Sequence, residues 1–122
     1  LLVEDNAVNQ DGAMRLLGRL GCQATIANNG HEAIASVQAS PFDLVLMDVQ
    51  MPEMDGLTAT QHIRQWEAQH SKPPVPIVAM TANAMAEDRE RCLAVGMNDH
   101  IGKPVRLEDL RTTLVRFAPV GV

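Results

Sequence analysis

The chain has 122 residues, 46% of them hydrophobic, and a formal charge of −5. That length suits one domain with a proper core, and the acidic balance argues against nucleic acid as a direct partner, since phosphate backbones demand basic patches. No apolar run approaches the roughly 18 residues of a membrane span, and no secretory leader is evident. The reading is a cytoplasmic domain without membrane contact, and the missing initial Met suggests a segment cut from a longer protein.

Leu1-Leu2-Val3 is a short apolar run ending in Glu4-Asp5-Asn6, a first strand with an acidic pair at its carboxyl end. Asn6 suits the cap of the next helix, where Ala13, Leu16, Leu17 and Leu20 recur at helical spacing. Gly12 and Gly18 each weaken that helix by about 1 kcal/mol relative to Ala, so it leans on packing, and Gly21 stops it. Gln23 to Ala27 is a second, weaker strand. Asn29 and Glu32 have the spacing of a capping box, and their helix turns Ala33, Ile34 and Val37 inward until Pro41.

Leu44 to Met47 is the third strand, an unbroken apolar run that reads as buried on both faces. It runs into Asp48 and then into turn chemistry, Pro52 and Asp55-Gly56. A helix from Leu57 to Glu67 and a loop over His70-Ser71-Lys72-Pro73-Pro74 follow. Pro76 to Met80 is a fourth strand ending in Thr81-Ala82-Asn83. Met85 to about Val95 is a helix with a polar face from Glu87 to Arg91, stopped by Gly96. Asp99-His100-Ile101 is a brief fifth strand before Gly102-Lys103-Pro104, and Leu107, Leu110, Leu114 and Phe117 mark the inner side of a last helix whose tail should fray. Strands alternating with helices mean an α/β fold, a parallel sheet with helices on both faces.

Parallel strands bring their carboxyl ends to one rim, where open α/β sheets bind ligands. That rim collects Glu4, Asp5, Asp48, Thr81, Ala82 and Lys103. Carboxylates about 4 Å apart at an effective dielectric near 20 repel by roughly 4 kcal/mol per pair. One lysine does not neutralise three of them, so a divalent ion held by oxygens is expected; Mg²⁺ fits, and no His or Cys cluster competes for a softer metal. A carboxylate nucleophile, a hard cation, a hydroxyl and an ammonium are the parts for phosphoryl transfer through an acyl phosphate, with Asp48 attacking. Cys22 and Cys92 lack metal-type spacing and read as two buried, reduced thiols.

Leu2-Val3-Glu4-Asp5-Asn6, Met47-Asp48-Val49-Gln50-Met51-Pro52-Glu53-Met54-Asp55-Gly56, Met80-Thr81-Ala82 and Lys103-Pro104 resemble the receiver domains of two-component response regulators. The likeness covers essentially the whole chain, 1–122, as one receiver. Asn9-Gln10 after the acidic pair and Gly96-Met97-Asn98-Asp99 are similar to receivers of hybrid sensor histidine kinases. The resemblance implies a flavodoxin-like (βα)5 sandwich with strand order 2-1-3-4-5. It implies that Asp48 accepts a phosphoryl group from a phosphohistidine, so the partners are a histidine kinase or a His-phosphotransfer domain. It implies Mg²⁺, with Mn²⁺ as a substitute, held by Glu4 through water, Asp5, Asp48 and the Gln50 carbonyl. Thr81, Lys103 and the backbone of Val49, Gln50 and Ala82 would contact the phosphoryl group, with Gln50 and Asn83 influencing its lifetime. The Lys103–Pro104 peptide would be cis, Thr81 would move on phosphorylation, and the domain would be a monomer or weak dimer.

One position departs from the family pattern. Three residues before the lysine, a switch aromatic is usual; here His100 stands there, and the chain has no Tyr. His100 is expected to toggle in its place and to make the switch pH-sensitive, against the plainer reading of a half-exposed polar side chain. The plainer readings elsewhere are a turn or capping aspartate for Asp48, a solvated loop pair for Glu4 and Asp5, and a surface lysine for Lys103. Asp55-Gly56 reads as a structural turn pair, and Trp66 with His62 and His70 as a solvated helix face. The polar run 87–91 reads as a solvated face, with partner docking as the alternative because it adjoins the expected switch. A rival from another class is a Mg²⁺-dependent aspartyl-phosphate phosphohydrolase, but its second aspartate would fall where Gln50 stands. The same residues would also suit a stand-alone response regulator with a separate output domain. A degenerate receiver that only binds partners would need a broken site, and no expected site residue is missing.

Overall fold

Strand and helix alternate along the whole described chain, in the order the hydrophobic pattern predicts. The computed structural model describes residues 1–51, 54–82, 86–103 and 105–117, with residues 86–88 described by their backbone alone. β1 (Leu2–Val3) leads to α1 (Ala7–Arg19), β2 (Ile26–Ala27) to α2 (Gly30–Ala39) and β3 (Val45–Asp48) to α3 (Gly56–Gln69). β4 (Ile77–Thr81) leads to α4 (Ala86–Ala94), and β5 (Asp99–Gly102) to α5 (Leu107–Phe117). The sheet is parallel throughout, in the flavodoxin-like order β2-β1-β3-β4-β5. The Lys103–Pro104 peptide, Asn83 and the side chains of Glu87 and Asp88 lie outside the described residues.

Every residue of β3 and β4 is buried, as continuous apolar runs between two helical layers require. Alternation splits the core in two. Leu2, Leu46, Val78, Met80 and Ile101 pack against Ala13 and Leu17 of α1 and Leu110 of α5. Val3, Val45, Met47, Ile77 and Ala79 face Ala33 and Val37 of α2, Ala59 and Ile63 of α3, and Cys92 of α4.

β2 spans two residues rather than the five expected from Gln23 to Ala27, because β1 offers only Leu2 and Val3 to pair with it. Cys92 is buried as expected, but Cys22 is only partly buried, in the loop between α1 and β2. Trp66 does not belong to a solvated face. It is partly buried against the core and lines a cavity with Phe42 and Val75, while His62 and His70 are exposed. The His70 ring lies 5.3 Å from Trp66, centroid to centroid.

Asn6 caps α1 by accepting from the Val8 and Asn9 amides, and Asn29 Oδ1 accepts from Glu32 N at 2.8 Å. Asp55 Oδ1 accepts from Thr58 N at 2.8 Å, which makes Asp55-Gly56 the structural pair it reads as. Gly56 lets the start of α3 press onto the end of β3. A Cβ there would run into the Asp48 carbonyl oxygen and lie 2.9 Å from Met47 Cγ.

A polar clamp around the buried Glu67 closes the opposite end. Arg64 donates to the Gly96 carbonyl at 2.9 Å, to Glu67 Oε1 at 2.8 Å and to Asn98 Oδ1 at 3.0 Å. Glu67 Oε2 accepts from Val75 N at 2.7 Å, and Asn98 Oδ1 from Ile77 N at 2.9 Å. Gly96 has φ of 103°, and its missing Cβ leaves room for the Arg64 stem.

Candidate functional site

The parallel register carries the strand-end residues to one rim. Leu2 pairs with Leu46 and Val3 with Met47, so Glu4 follows β1 beside Asp48 at the end of β3. Asp48 is opposite Met80, and Thr81 is opposite Gly102. The ladders run one step past the strands, with Val49 N donating to Met80 O at 3.1 Å and Lys103 N to Thr81 O at 2.8 Å. These bonds fix the backbone on which the site side chains are mounted.

Glu4, Asp5 and Asp48 each place a carboxylate oxygen within 4.8 Å of the others. Glu4 and Asp48 are both only 2% exposed, whereas Asp5 is exposed. Lys103 Nζ reaches between the two buried acids, 2.9 Å from Glu4 Oε2 and 3.0 Å from Asp48 Oδ1. Asp48 Oδ1 also accepts from Gln50 N at 3.1 Å, and Glu4 Oε1 from Asn6 N at 3.2 Å. Asp48 Oδ2 is buried and accepts no hydrogen bond. A buried carboxylate oxygen left without a donor is costly, so this atom is where a ligand is most needed.

The electrostatics follow from that crowding. Burial pushes the Asp48 carboxyl up to about 6, and the Glu4 charge adds to the rise against the pull of Lys103 and the Gln50 amide. Burial acts on Glu4 in the same sense, but Lys103 and the Asn6 N–H outweigh it and hold Glu4 below the usual carboxylate range. Burial also disfavours the Lys103 ammonium, yet its two carboxylate partners raise its pKa. The metal-free site thus holds Glu4 ionised and leaves Asp48 poised near its titration.

A cleft of about 430 Å³ opens beside the acids, lined by Val49, Gln50, Met51, Asp55, Leu57, Thr81 and Arg91. Thr81 is buried at the end of β4, and Ala82 is exposed just beyond it. Arg91 of α4 lies in a polar run that reads as solvated in the sequence, yet it lines this cleft together with Thr81. His100 stands apart, roughly 10 Å back along β5 from Lys103 at strand rise. It is opposite Ala79, on the face that Cys92 of α4 covers, and is partly buried. Its Nδ1 is 3.6 Å from Asp99 Oδ1, beyond hydrogen-bond reach, while Asp99 Oδ2 is held by Arg116 at 2.7 Å.

Three carboxylates with an undersupplied buried oxygen are a donor set for a hard divalent cation, and they fit Mg²⁺. Among the described residues, no helix is long and apolar enough to cross a membrane.

Known proteins agree with this architecture. The family described as the response regulator receiver domain matches residues 1–115. The sensor histidine kinase GacS of Pseudomonas protegens is 42% identical over 122 residues, covering all of this chain and 13% of that protein, so the chain spans a small part of its relative's length. The receiver domain of the sensor histidine kinase PA1611 from Pseudomonas aeruginosa, solved with a magnesium ion coordinated in its active-site cleft, superposes with a TM-score of 0.84. It is 42% identical, over 95% of this chain and 93% of that one. A TM-score of 0.92 relates this chain to one in the co-crystal structure of the Saccharomyces cerevisiae phosphotransfer protein Ypd1 with the receiver domain of Ssk1, at 32% identity, over 97% of this chain and 86% of that one. With its sheet order, its acidic rim and these likenesses, the chain belongs to the response regulator receiver family and is similar to the receivers of sensor histidine kinases.

Proposed function

We propose that this receiver is the phosphoacceptor of a two-component phosphorelay and that Asp48 carries the phosphoryl group. The observation that supports this most is Asp48 Oδ2, a buried carboxylate oxygen with no hydrogen bond, beside Lys103 and the Thr81 cleft. An Asp48 oxygen attacks the phosphorus of a phosphohistidine. The P–N bond breaks, its electron pair passes to the imidazole nitrogen, and an acyl phosphate forms on Asp48. Lys103, the Thr81 hydroxyl and the backbone N–H groups of Val49, Gln50 and Ala82 bind the phosphoryl oxygens.

Glu4, Asp5, Asp48 and the Gln50 carbonyl would hold Mg²⁺, with Mn²⁺ as a substitute. When bound, the cation neutralises charge between the carboxylates and the phosphoryl oxygens. Lys103 keeps one carboxylate oxygen of each buried acid in place meanwhile. The donor is a histidine kinase or His-phosphotransfer domain, and the parent is a cytoplasmic or membrane-anchored hybrid histidine kinase whose kinase core lies outside this chain. The domain itself runs its own phosphorylation and dephosphorylation and is not a turnover enzyme. Thr81 and His100 report the modification to the α4–β5 face, a shift between two packings; the half-buried place of His100 under α4 favours that role.

A small phosphodonor with Mg²⁺ should install one acid-stable, base-labile phosphoryl group, absent in Asp48→Asn. Steady turnover of phosphate monoesters, or labelling that survives in Asp48→Asn, would overturn the reading.

A further inference from the structure

Asp5 completes the acid cluster, yet among the described residues no hydrogen bond holds its exposed carboxylate. Its place is therefore set by the backbone of the connection between β1 and α1. That connection is pinned by Glu4 N donating to Ala27 O at 3.1 Å and by Asn6 N donating to Glu4 Oε1 at 3.2 Å. The third pin is a side chain. Gln10, one turn inside α1, donates from Nε2 to the Glu4 carbonyl and, at 2.8 Å, to Asn28 Oδ1. A primary amide has two N–H groups, and both are used. Asn28 is itself held, since its N and Nδ2 donate to Glu32 Oε1 at 3.2 and 3.1 Å.

The pairing of β1 with β2 ends at Val3 and Ala27. The Glu4 carbonyl thus lies just past the ladder, where a backbone acceptor must find another donor. Gln10 provides it and ties the carbonyl to the loop before α2. That bond restrains rotation of the peptide plane between Glu4 and Asp5, from which an Asp5 carboxylate oxygen lies within 4.8 Å of those of Glu4 and Asp48.

We infer that Gln10 is a positioning residue for the cation site, holding the Glu4–Asp5 peptide so that Asp5 faces Asp48. This rests on the proposed reading of the rim as a Mg²⁺ site. Groups that orient ligands from behind typically change metal affinity 10- to 100-fold or so when removed. Gln10 acts through backbone rather than on the carboxylate itself, which places the expected effect at the low end.

The test is calorimetric titration of Mg²⁺ into the intact domain, paired with metal-free thermal unfolding. Gln10→Ala and Gln10→Met, the second keeping length while removing both donors, are expected to bind Mg²⁺ about tenfold more weakly, with a metal-free melting temperature lowered only modestly by the lost hydrogen bonds. Asn28→Ala is expected to weaken binding less, and the double variant Gln10→Ala with Asn28→Ala no more than Gln10→Ala alone. Wild-type affinity within twofold in both Gln10 variants overturns the inference, and so does an equal loss of Mg²⁺ affinity in Glu67→Ala, whose lost bonds lie at the opposite end and mark a merely global effect. Wild type and Asp5→Asn serve as references. If wild type binds no Mg²⁺, the proposed site fails; if wild type binds, Asp5→Asn does not, and the Gln10 variants bind normally, only the role of Gln10 fails.

Discussion

Lys103 Nζ lies 3.0 Å from Asp48 Oδ1, and the same nitrogen lies 2.9 Å from Glu4 Oε2. One ammonium therefore serves two acids that are almost wholly buried. Removing one member of such a group leaves uncompensated buried charge, at about 3–5 kcal/mol. Lys103→Ala is expected to lose about 3 kcal/mol of metal-free stability, and saturating Mg²⁺ to restore part of it. Urea unfolding with and without the cation measures both quantities. A loss that Mg²⁺ leaves untouched would contradict the shared-charge account.

The raised ionisation of Asp48 has a sign in stability. Between its ordinary value of 3.8 and the folded value of about 6, the native state binds more protons than the unfolded chain. Stability from this group therefore rises as pH falls through that window, by up to about 3 kcal/mol. Glu4 acts oppositely: its stabilisation is present above its ordinary value of 4.5 and is lost as pH falls through its lowered folded value. Asp48→Asn removes the first effect. Without divalent cation it should be more stable than wild type at neutral pH by about 1–3 kcal/mol, the gap closing by about pH 4. Denaturant titrations across that range check it, and a gap that widens on acidification would refute it.

Gly56 sets the distance between α3 and the backbone of Asp48. A methyl group there meets the Asp48 carbonyl oxygen and Met47 Cγ. Both belong to a buried strand that cannot yield freely, so overpacking of about 2–3 kcal/mol is expected for Gly56→Ala. The strain falls on the residue proposed to take the phosphoryl group, so labelling by a small phosphodonor should slow as well. Full wild-type rate and stability in this variant would show that the contact relaxes without effect.

The Arg64 clamp separates stability from site chemistry. Glu67→Ala leaves a partly buried guanidinium and the Val75 amide without their acceptor, a loss of about 3 kcal/mol. Replacing both ends by apolar residues, Arg64→Met with Glu67→Leu, should be milder than Glu67→Ala alone. Neither change touches the acidic rim, so phosphoryl uptake by the folded protein should stay close to wild type. Melting curves and single-turnover labelling distinguish the two effects.

Asp48, Glu4, Asp5, Thr81 and Lys103 are legible in the sequence because each ends or follows an apolar run, and parallel strands bring such ends together without further information. The order of the strands comes from the family likeness, since spacing alone does not choose among parallel arrangements. Glu67 escapes a sequence reading because a charged residue on a helix is normally exposed. Its partners, Val75, and through Arg64 also Gly96 and Asn98, meet it only once the chain has folded. The position of Glu67 four residues after Ile63, on the inward stripe, is the available signal. Trp66, beside it, reads as solvated because His62 and His70 flank it at helical spacing, and only the fold sets it against the core and in one cavity lining with Phe42 and Val75. Gln10 stands out in the sequence only through the family likeness of Asn9-Gln10, because folding back over a helix start leaves no periodic trace of what it holds.

Trp66 is the only tryptophan in the chain, and it lies about ten residues along α3 from Gly56, roughly 15 Å by helical rise. Its indole is therefore too far from Asp48 to be quenched directly by a phosphate or a cation there. It stacks near the His70 ring and lines a cavity with Phe42 and Val75. The protein thus carries a built-in optical witness at the end of the molecule opposite its chemistry. Any change in its emission when Asp48 is loaded reports a disturbance that has crossed the domain.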